Sequence, residues 1–405
     1  MRLVVKFGGT SVGDAERIRL AAGAVAKKAK KGDQVLVVVS AMAGVTDNLL
    51  NTAKSATGEN IDDTFLSDIV AMGEATSARI MAATLRSMGI EAVYFDPNRE
   101  DFPIITDNTP WGAKILPKQS IEAGEKYIEP LLERGVVPVV CGFLGRSLDG
   151  KVTTLGRGGS DTTAYALGNF LNADWVIIVT DAEGVLSGDP RKVEGAEILK
   201  EISVKEMGVL ADRGAKVIHP NALRFKTPKM RSKVIHFRHG DLDVEGTEIV
   251  GYFEKRATLH KEKLSMITIV GDDIMTTPGL LDKIVSPLAE KEISIHGISV
   301  GTKYIGVYVE SNNASLSYNM LHPIVVGESL LKSITVKDNV GLISTESQNF
   351  IDTPGVISKL TTPLGEAGIN ILEMATIKTD ILIYVDWDRA GDAYEIISRV
   401  MDEIP

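Results

Sequence analysis

Residues 2–40 read RLVVKFGGTSVGDAERIRLAAGAVAKKAKKGDQVLVVVS, and this stretch sets the fold class. RLVVKF (2–7) is a continuous apolar strand pattern. Residues 15–30 form an alanine-rich amphipathic helix pattern that stops at Gly32, and QVLVVVS (34–40) is a second strand. Strand, helix and strand in succession are the βαβ rhythm of a parallel sheet, and Val-rich runs without alternation predict burial on both faces. The rhythm continues with strands predicted at 91–96, 135–143 and 174–181 and helices over 66–87, 111–130 and 161–171. The expected class is α/β, a sandwich with a mostly parallel central sheet that ends near residue 240.

The chain has 405 residues, room for two or three domains. Its 54 acidic against 44 basic side chains give a net charge of -10, which makes no general surface for nucleic acid or anionic lipid. The basic runs Lys27-Lys28-Ala29-Lys30-Lys31 and Lys226 to Lys233 are short, and read as a charged helix face and a charged loop. The single cysteine, Cys141, excludes an internal disulfide and a cysteine-ligated metal site within one chain, and reads as a buried small hydrophobe in VVPVVCGF. The six histidines are scattered without ligand spacing, so no metal site of the protein's own is expected; His219, followed by Pro220, reads as structural. No leader-like block opens the sequence, and no window supplies the roughly 18 uncharged apolar residues that span a bilayer. The expectation is a soluble cytoplasmic protein.

After residue 240 the composition changes. The acidic, glycine-containing piece 239–252 reads as a boundary, and a duplication follows it. Thr277-Pro278-Gly279 matches Thr353-Pro354-Gly355, Pro287 matches Pro363 and Ile293 matches Ile369, a constant offset of 76 residues. Each copy reads as strand, loop, helix and a β-rich segment, so two small α+β modules are expected. The second copy ends in a helix and lacks a last strand. RATLHKEK (256–263), before the first copy, is available to supply it, which would insert the first module within the second.

Three loops of the first half carry charge at strand ends. Lys6-Phe7-Gly8-Gly9-Thr10-Ser11 leads into a helix, so its glycines would let backbone N–H groups meet phosphate oxygens while Lys6 balances charge on a phosphoryl group. The alternative is a simple turn with a solvent lysine. In Gly156-Arg157-Gly158-Gly159-Ser160-Asp161 the glycines permit close backbone approach and Arg157 offers a rigid fork for carboxylate or phosphate. There Ser160 reads equally as a helix cap and Arg157 with Asp161 as an ion pair. The third loop, Thr180 to Arg191, lies where open sheets bind ligands; Asp181 or Glu183 would orient a nucleotide or its magnesium and Arg191 would meet phosphate, against an equal reading as a polar loop with a helix cap. Ser40, Thr46 and Glu74 are further candidates for a small charged substrate, against plain cap or surface roles, and Lys216 reads as a candidate or a snorkelling lysine.

Together these residues resemble the aspartate kinase family within the wider amino-acid kinase fold. KFGGTSVG (6–13), SAMAGVT (40–46), GE (73–74), TTLGRGGSD (153–161), TDAEGV (180–185), DPR (189–191) and GAKVIHP (214–220) stand in the family's order, and the duplicated modules resemble paired ACT domains with a ferredoxin-like α+β fold. The resemblance implies a catalytic domain at 1–240, a linker and donated strand at 241–263, and ACT-like domains at 264–337 and 338–405. It implies phosphoryl transfer from ATP, carried with Mg²⁺, to the side-chain carboxylate of L-aspartate. Lys6, Arg157 and Asp161 fall on catalytic positions, and Ser40, Thr46, Glu74 and Arg157 on substrate-holding ones. Lys6, Gly8, Gly9, Thr180, Asp181, Leu186, Arg191 and Lys216 fall on the nucleotide side. For an amino-acid effector, lysine or threonine, the positions are Asp282, Ile295, Ser299, Asn370 and Ile371, and HGISVGT (296–302) matches neither sensor type clearly. The tail would also join chains into a dimer or a dimer of dimers.

One position departs from the family pattern: Leu186 stands where an aromatic residue is usual beside the nucleotide base. No part resembling homoserine dehydrogenase follows, so a monofunctional enzyme is expected. The rival readings are a kinase for another small carboxylate, such as N-acetylglutamate, and a catalytically inactive amino-acid sensor.

Overall fold

The structure is a computed structural model that describes residues 1–58, 60–190, 192–212, 218–347, 350, 353–377 and 379–404, without the side chains of 211 and 212. It divides into two units, Met1–Phe253 and Glu254–Pro405. In the first, the strands in chain order are β1 (Arg2–Phe7), β2 (Gln34–Val39), β3 (Ala92–Phe95), β4 (Ile105–Thr106), β5 (Val137–Cys141), β6 (Leu144–Ser147), β7 (Val152–Thr154), β8 (Trp175–Thr180), β9 (Glu201–Ser203), β10 (Arg231–His236) and β11 (Thr247–Val250). β4, β6 and β7 form a small sheet, and the others form a large one in the order β3-β5-β2-β1-β8-β10-β11-β9. Its pairings are parallel except β10 with β11.

The unbroken apolar runs are buried as their pattern predicts. In β2 every position after Gln34 is buried, and the free Cys141 is buried in β5. Helix Ala15–Lys30 starts at Asp14, whose side chain accepts from the Arg17 N–H at 2.9 Å, and buries Ile18, Ala22 and Val25. Its lysines meet acids, Lys27 with Asp241 at 2.5 Å and Lys31 with Asp243 at 3.1 Å, so the basic run is neutralised locally.

Two expected boundaries move. The helix predicted over 111–130 begins only at Pro117, because Trp111 and Ile115 are drawn into bridges with Thr154 and Thr106 of the small sheet. The domain border expected near 240 lies after Phe253. β11 pairs with both β10 and β9, and Thr247 Oγ1 accepts from the Val185 N–H at 2.8 Å and donates to Leu199 O at 2.6 Å. The acidic, glycine-containing segment thus extends the sheet, and its short TEIV strand is held by backbone pairing on both edges.

In the second unit β12 (Arg256–Leu259), β13 (Leu264–Gly271), β14 (Gly297–Val300), β15 (Tyr304–Glu310), β16 (Leu331–Glu346), β17 (Ile371–Ile377) and β18 (Asp380–Asp386) make one antiparallel sheet. Its order is β14-β15-β13-β16-β18-β17, with β12 also on β16. Helices Leu280–Glu290 and Ala314–Gly327 share a core with Ile267, Ile269 and Val307; helices Val356–Glu366 and Ala390–Glu403 share another with Ile343 and Ile383. β12 pairs with Ile343 to Glu346 and packs Ala257 and Leu259 on the second core, so the first module lies in sequence between two parts of the second. The module border drawn at 337/338 falls inside β16. This 16-residue strand pairs with β13 over its first part and with β18 over its second, so no sheet edge opens between the modules.

Candidate active site

From β1 the chain steps to β2 on one side and later returns to β8 on the other, which makes the carboxyl ends of β1 and β8 the switch point of the sheet. Lys6 sits there, and a cavity of about 270 Å³ is lined by Lys6, Ser40, Thr46, Glu74, Phe143 and the loop Gly156 to Asp161. Lys6 Nζ lies 2.7 Å from Asp161 Oδ1, with the two side chains 11% and 10% exposed. The alternative Arg157–Asp161 ion pair is therefore not formed. Arg157 is exposed and has no ion pair among the described residues, so its guanidinium donors are open to a ligand.

Ser160 is not the helix cap. Gly158 holds that place at φ +69°, the helix starts at Gly159, and Ser160 accepts a hydrogen bond at 3.0 Å from Ser40 Oγ. A Cβ on Gly158 would come within 2.0 Å of His219 Cβ, and one on Gly159 within 2.8 Å of Phe143 Cα, so close approach as well as turn geometry requires these glycines. His219 caps the short helix after it, its ring accepting from the Asn221 N–H at 3.4 Å.

Gly8 departs from its sequence reading. The Gly8 N–H donates to Val179 O at 3.0 Å and is committed to the sheet, so it is not open to phosphate. Gly8 brings the turn beside Lys6, an added Cβ there lying 3.7 Å from Nζ, while a Cβ on Gly9 would meet Ala41 O at 2.7 Å. The turn is needed for packing against the end of β2.

Glu74, on helix Asp63–Ser87, is 3% exposed and is not surface decoration. Its Oε1 accepts from the Ala41 N–H at 3.2 Å, and its Oε2 is buried without a hydrogen-bond partner among the described residues. Burial pushes this carboxyl up to about 7, against the partial opposition of the Ala41 N–H. A buried carboxyl with one oxygen open at a cavity is a receptor for a cation.

The remaining candidates lie apart from the cavity lining. Thr180 ends β8 and donates to the exposed Asp181 at 3.2 Å. Glu183 is engaged by Arg238 at 2.6 Å and His239 at 3.1 Å, so it ties the loop down and does not stand free for a nucleotide. Leu186 is half-buried in a bridge with Ile198. Arg191 and Lys216 lie outside the described residues. The effector candidates are dispersed: Asp282 accepts from Ser286 Oγ at 2.6 Å on an exposed helix face, Ile295 packs on the first module's core, Asn370 is exposed and Ile371 packs on the second core. Ser299 reaches across the modules, donating to Glu373 at 3.2 Å.

Phe143 was not singled out in the sequence. It lines the cavity at φ +67° and meets Trp111 edge-on at 6.2 Å between centroids. The signal available was an aromatic residue after Gly142 at the end of a buried strand, and it reads equally as core.

The model of the amino acid kinase family matches residues 1–236, and that of the ACT domain matches 335–399. The aspartokinase of Thermus thermophilus is 32% identical over 99% of this chain and 99% of its own length. That of Geobacillus stearothermophilus is 32% identical over 95% of this chain and 93% of its own. The aspartate kinase of Synechocystis superposes with a TM-score of 0.77 at 26% identity, covering 99% of this chain and 69% of that one. Aspartokinase III of E. coli, solved with aspartate and ADP, shares the fold with a TM-score of 0.56 at 23% identity over 99% of both chains.

Proposed function

This chain belongs to the aspartokinases of the amino acid kinase family, and we propose that it transfers the γ-phosphoryl group of ATP to the side-chain carboxylate of L-aspartate, giving 4-phospho-L-aspartate and ADP. The observation that carries the reading is the opening of Lys6, Glu74 and Arg157 into one cavity. The chemistry demands such a place, because a carboxylate must approach a polyphosphate in line and the two anions repel.

Lys6 supplies the fixed positive charge between them, and Asp161 holds its ammonium in position at 2.7 Å. Glu74 takes the substrate's ammonium on its open oxygen, Arg157 grips a substrate carboxylate with its planar fork, and the hydroxyls of Ser40 and Thr46 complete the polar wall. The attacking carboxylate is ionised at neutral pH, so no general base is needed. Thr180, Asp181 and Leu186 form the nucleotide side at the end of β8. Magnesium comes with ATP and offsets phosphate charge; the exposed Asp181, just after β8, is a hard oxygen donor available to it, whereas the Asp161 oxygens are engaged by Lys6 and by the His219 N–H.

With ATP as donor the enzyme works in the cytoplasm. Residues 254–405 form the regulatory part, which binds lysine or threonine and pairs with a second copy of the chain. The test is purified protein with Mg-ATP and L-aspartate, the acyl phosphate being trapped by hydroxylamine. Aspartyl hydroxamate is the expected product, and folded protein that makes none rejects the reading. Repeating the assay with lysine, threonine and methionine tests regulation, and inhibition by none of them, alone or combined, leaves the tail a structural part.

A further inference from the structure

The sheet of the second unit gathers three side chains that are far apart in sequence. His260 directly follows β12, its N–H donating to Leu342 O at 2.8 Å. His296 directly precedes β14; its N–H donates to Tyr308 O at 2.8 Å and its carbonyl accepts from the Tyr384 hydroxyl at 2.9 Å. Glu310 ends β15. One ligand atom from each lies within 4.8 Å of the other two. His296 Nε2 and Glu310 Oε1 are 3.8 Å apart, and the two imidazole rings stand 4.7 Å apart at 55°.

Asn312 Nδ2 donates to Glu310 Oε2 at 3.5 Å, which leaves Glu310 Oε1 facing His296. The Nε2 atoms of both histidines are buried and lack a hydrogen-bond partner among the described residues. Buried polar atoms without partners are uncommon because each forfeits its hydration, and two of them beside one carboxylate share an obvious remedy.

We infer that His260, His296 and Glu310 form a site for a divalent transition-metal ion of the zinc class. Two imidazoles and one carboxylate are the borderline donor set that Zn²⁺, Co²⁺ and Ni²⁺ favour, whereas Mg²⁺ and Ca²⁺ favour oxygen alone. Bonds of about 2.0–2.1 Å in a tetrahedron place neighbouring ligand atoms roughly 3.3 Å apart, so only a small contraction by side-chain rotation is needed. The backbone at all three residues is already held by the sheet. The fourth position stays open for water or a small ligand. With side chains 21% and 32% exposed, His296 and Glu310 leave an approach from solvent.

The site joins the modules. His260 directly follows the strand that packs on the second core, while His296 and Glu310 belong to the first module. A bound ion therefore ties the donated strand to the neighbouring module, and by linkage stabilises the unit in which all three ligands are assembled.

The test uses the full chain, stripped of metal by chelation and titrated with Co²⁺ as an optical probe, then with Zn²⁺ in competition. The expected result is a visible absorption band that saturates at one Co²⁺ per chain, disappears on adding Zn²⁺, and accompanies a thermal midpoint that rises with Zn²⁺. His260→Gln and His296→Gln, checked for folding by circular dichroism without metal, should each lose more than the roughly 10–100-fold in affinity that follows from disturbing a group that merely supports a ligand. If neither histidine variant folds, Glu310→Gln decides, and undiminished Co²⁺ affinity there overturns the site. Absence of a saturable band in the unaltered protein, or binding by a folded histidine variant that equals it, also overturns the inference.

Discussion

In Met1–Phe253 about half of the cavity lining arrives in company, as the run Gly156 to Asp161 on one turn. In Glu254–Pro405 clustered groups arrive singly, as His260, His296 and Glu310, or as Tyr308, Tyr384 and Glu373, the members of each cluster coming from different strands or strand ends. Turns at the ends of parallel strands keep several useful residues together in sequence, because local backbone geometry and chemistry are set by the same few positions. A cluster across an antiparallel sheet depends on register, and a slip of one residue would turn each side chain to the other face.

The duplication sharpens this contrast. Tyr308 and Tyr384 occupy matching positions in the two copies and stack on one another, 4.0 Å between centroids at 20°. Their hydroxyls then diverge: Tyr308 donates to Glu373 at 2.7 Å and Tyr384 to His296 O at 2.9 Å. Burial raises both phenols, that of Tyr384 to about 12, so each stays a donor at neutral pH. The helix ends also match. Glu292 and Gly368 hold the same left-handed position, at φ +56° and +65°, and Ile293 and Ile369 donate back to Leu288 and Leu364 at 3.0 and 2.8 Å.

The largest effect should come from the first unit. Lys6→Ala is expected to lower kcat by about 10²–10³-fold or more in the hydroxamate assay, with a smaller change in the KM for ATP, since its charge is needed most where negative charge gathers. Near-normal turnover would break the claim that the two charged turns serve one reaction.

Glu74→Gln comes next and should act in two directions. Loss of a charge-assisted contact to the substrate's ammonium is expected to raise the KM for aspartate roughly 10–100-fold. Stability should move the other way. The folded carboxyl keeps its proton up to about 7 while a free one loses it near 4.5, so the folded state holds the extra proton between these values and stability falls as pH rises through that window. The total is about 3 kcal/mol as an order of magnitude. Denaturation of the variant at pH 5, 6 and 7 should lack this decline, and an unchanged slope would show that Glu74 does not set it.

Within the second unit, Tyr308→Phe should cost about 2 kcal/mol because it strips a donor from a carboxylate, and Tyr384→Phe about 1 kcal/mol because it strips one from a neutral carbonyl. Equal losses would show that the stack, not the hydroxyl partner, distinguishes the copies. The smallest effect has the opposite sign. Glu292→Gly removes the strain of a side chain in the left-handed region and should stabilise by about 0.5 kcal/mol, while Gly368→Ala should destabilise by about 1 kcal/mol. Thermal midpoints of the two variants check both.

Continuous apolar runs, the βαβ rhythm, the duplication and the ordered motifs were written along the chain, because each is a property of neighbours a few residues apart. They sufficed for the α/β class, the repeated modules and the family. Other features needed distant segments to meet: β11 closing on β9 and β10, β16 passing unbroken through both modules, the pairing of Lys6 with Asp161, the burial of Glu74 and the meeting of His260 with His296 and Glu310. Local sequence dictates which conformations and chemistries are available, whereas desolvation and contact between remote residues exist only once sheet order and register have put those residues side by side.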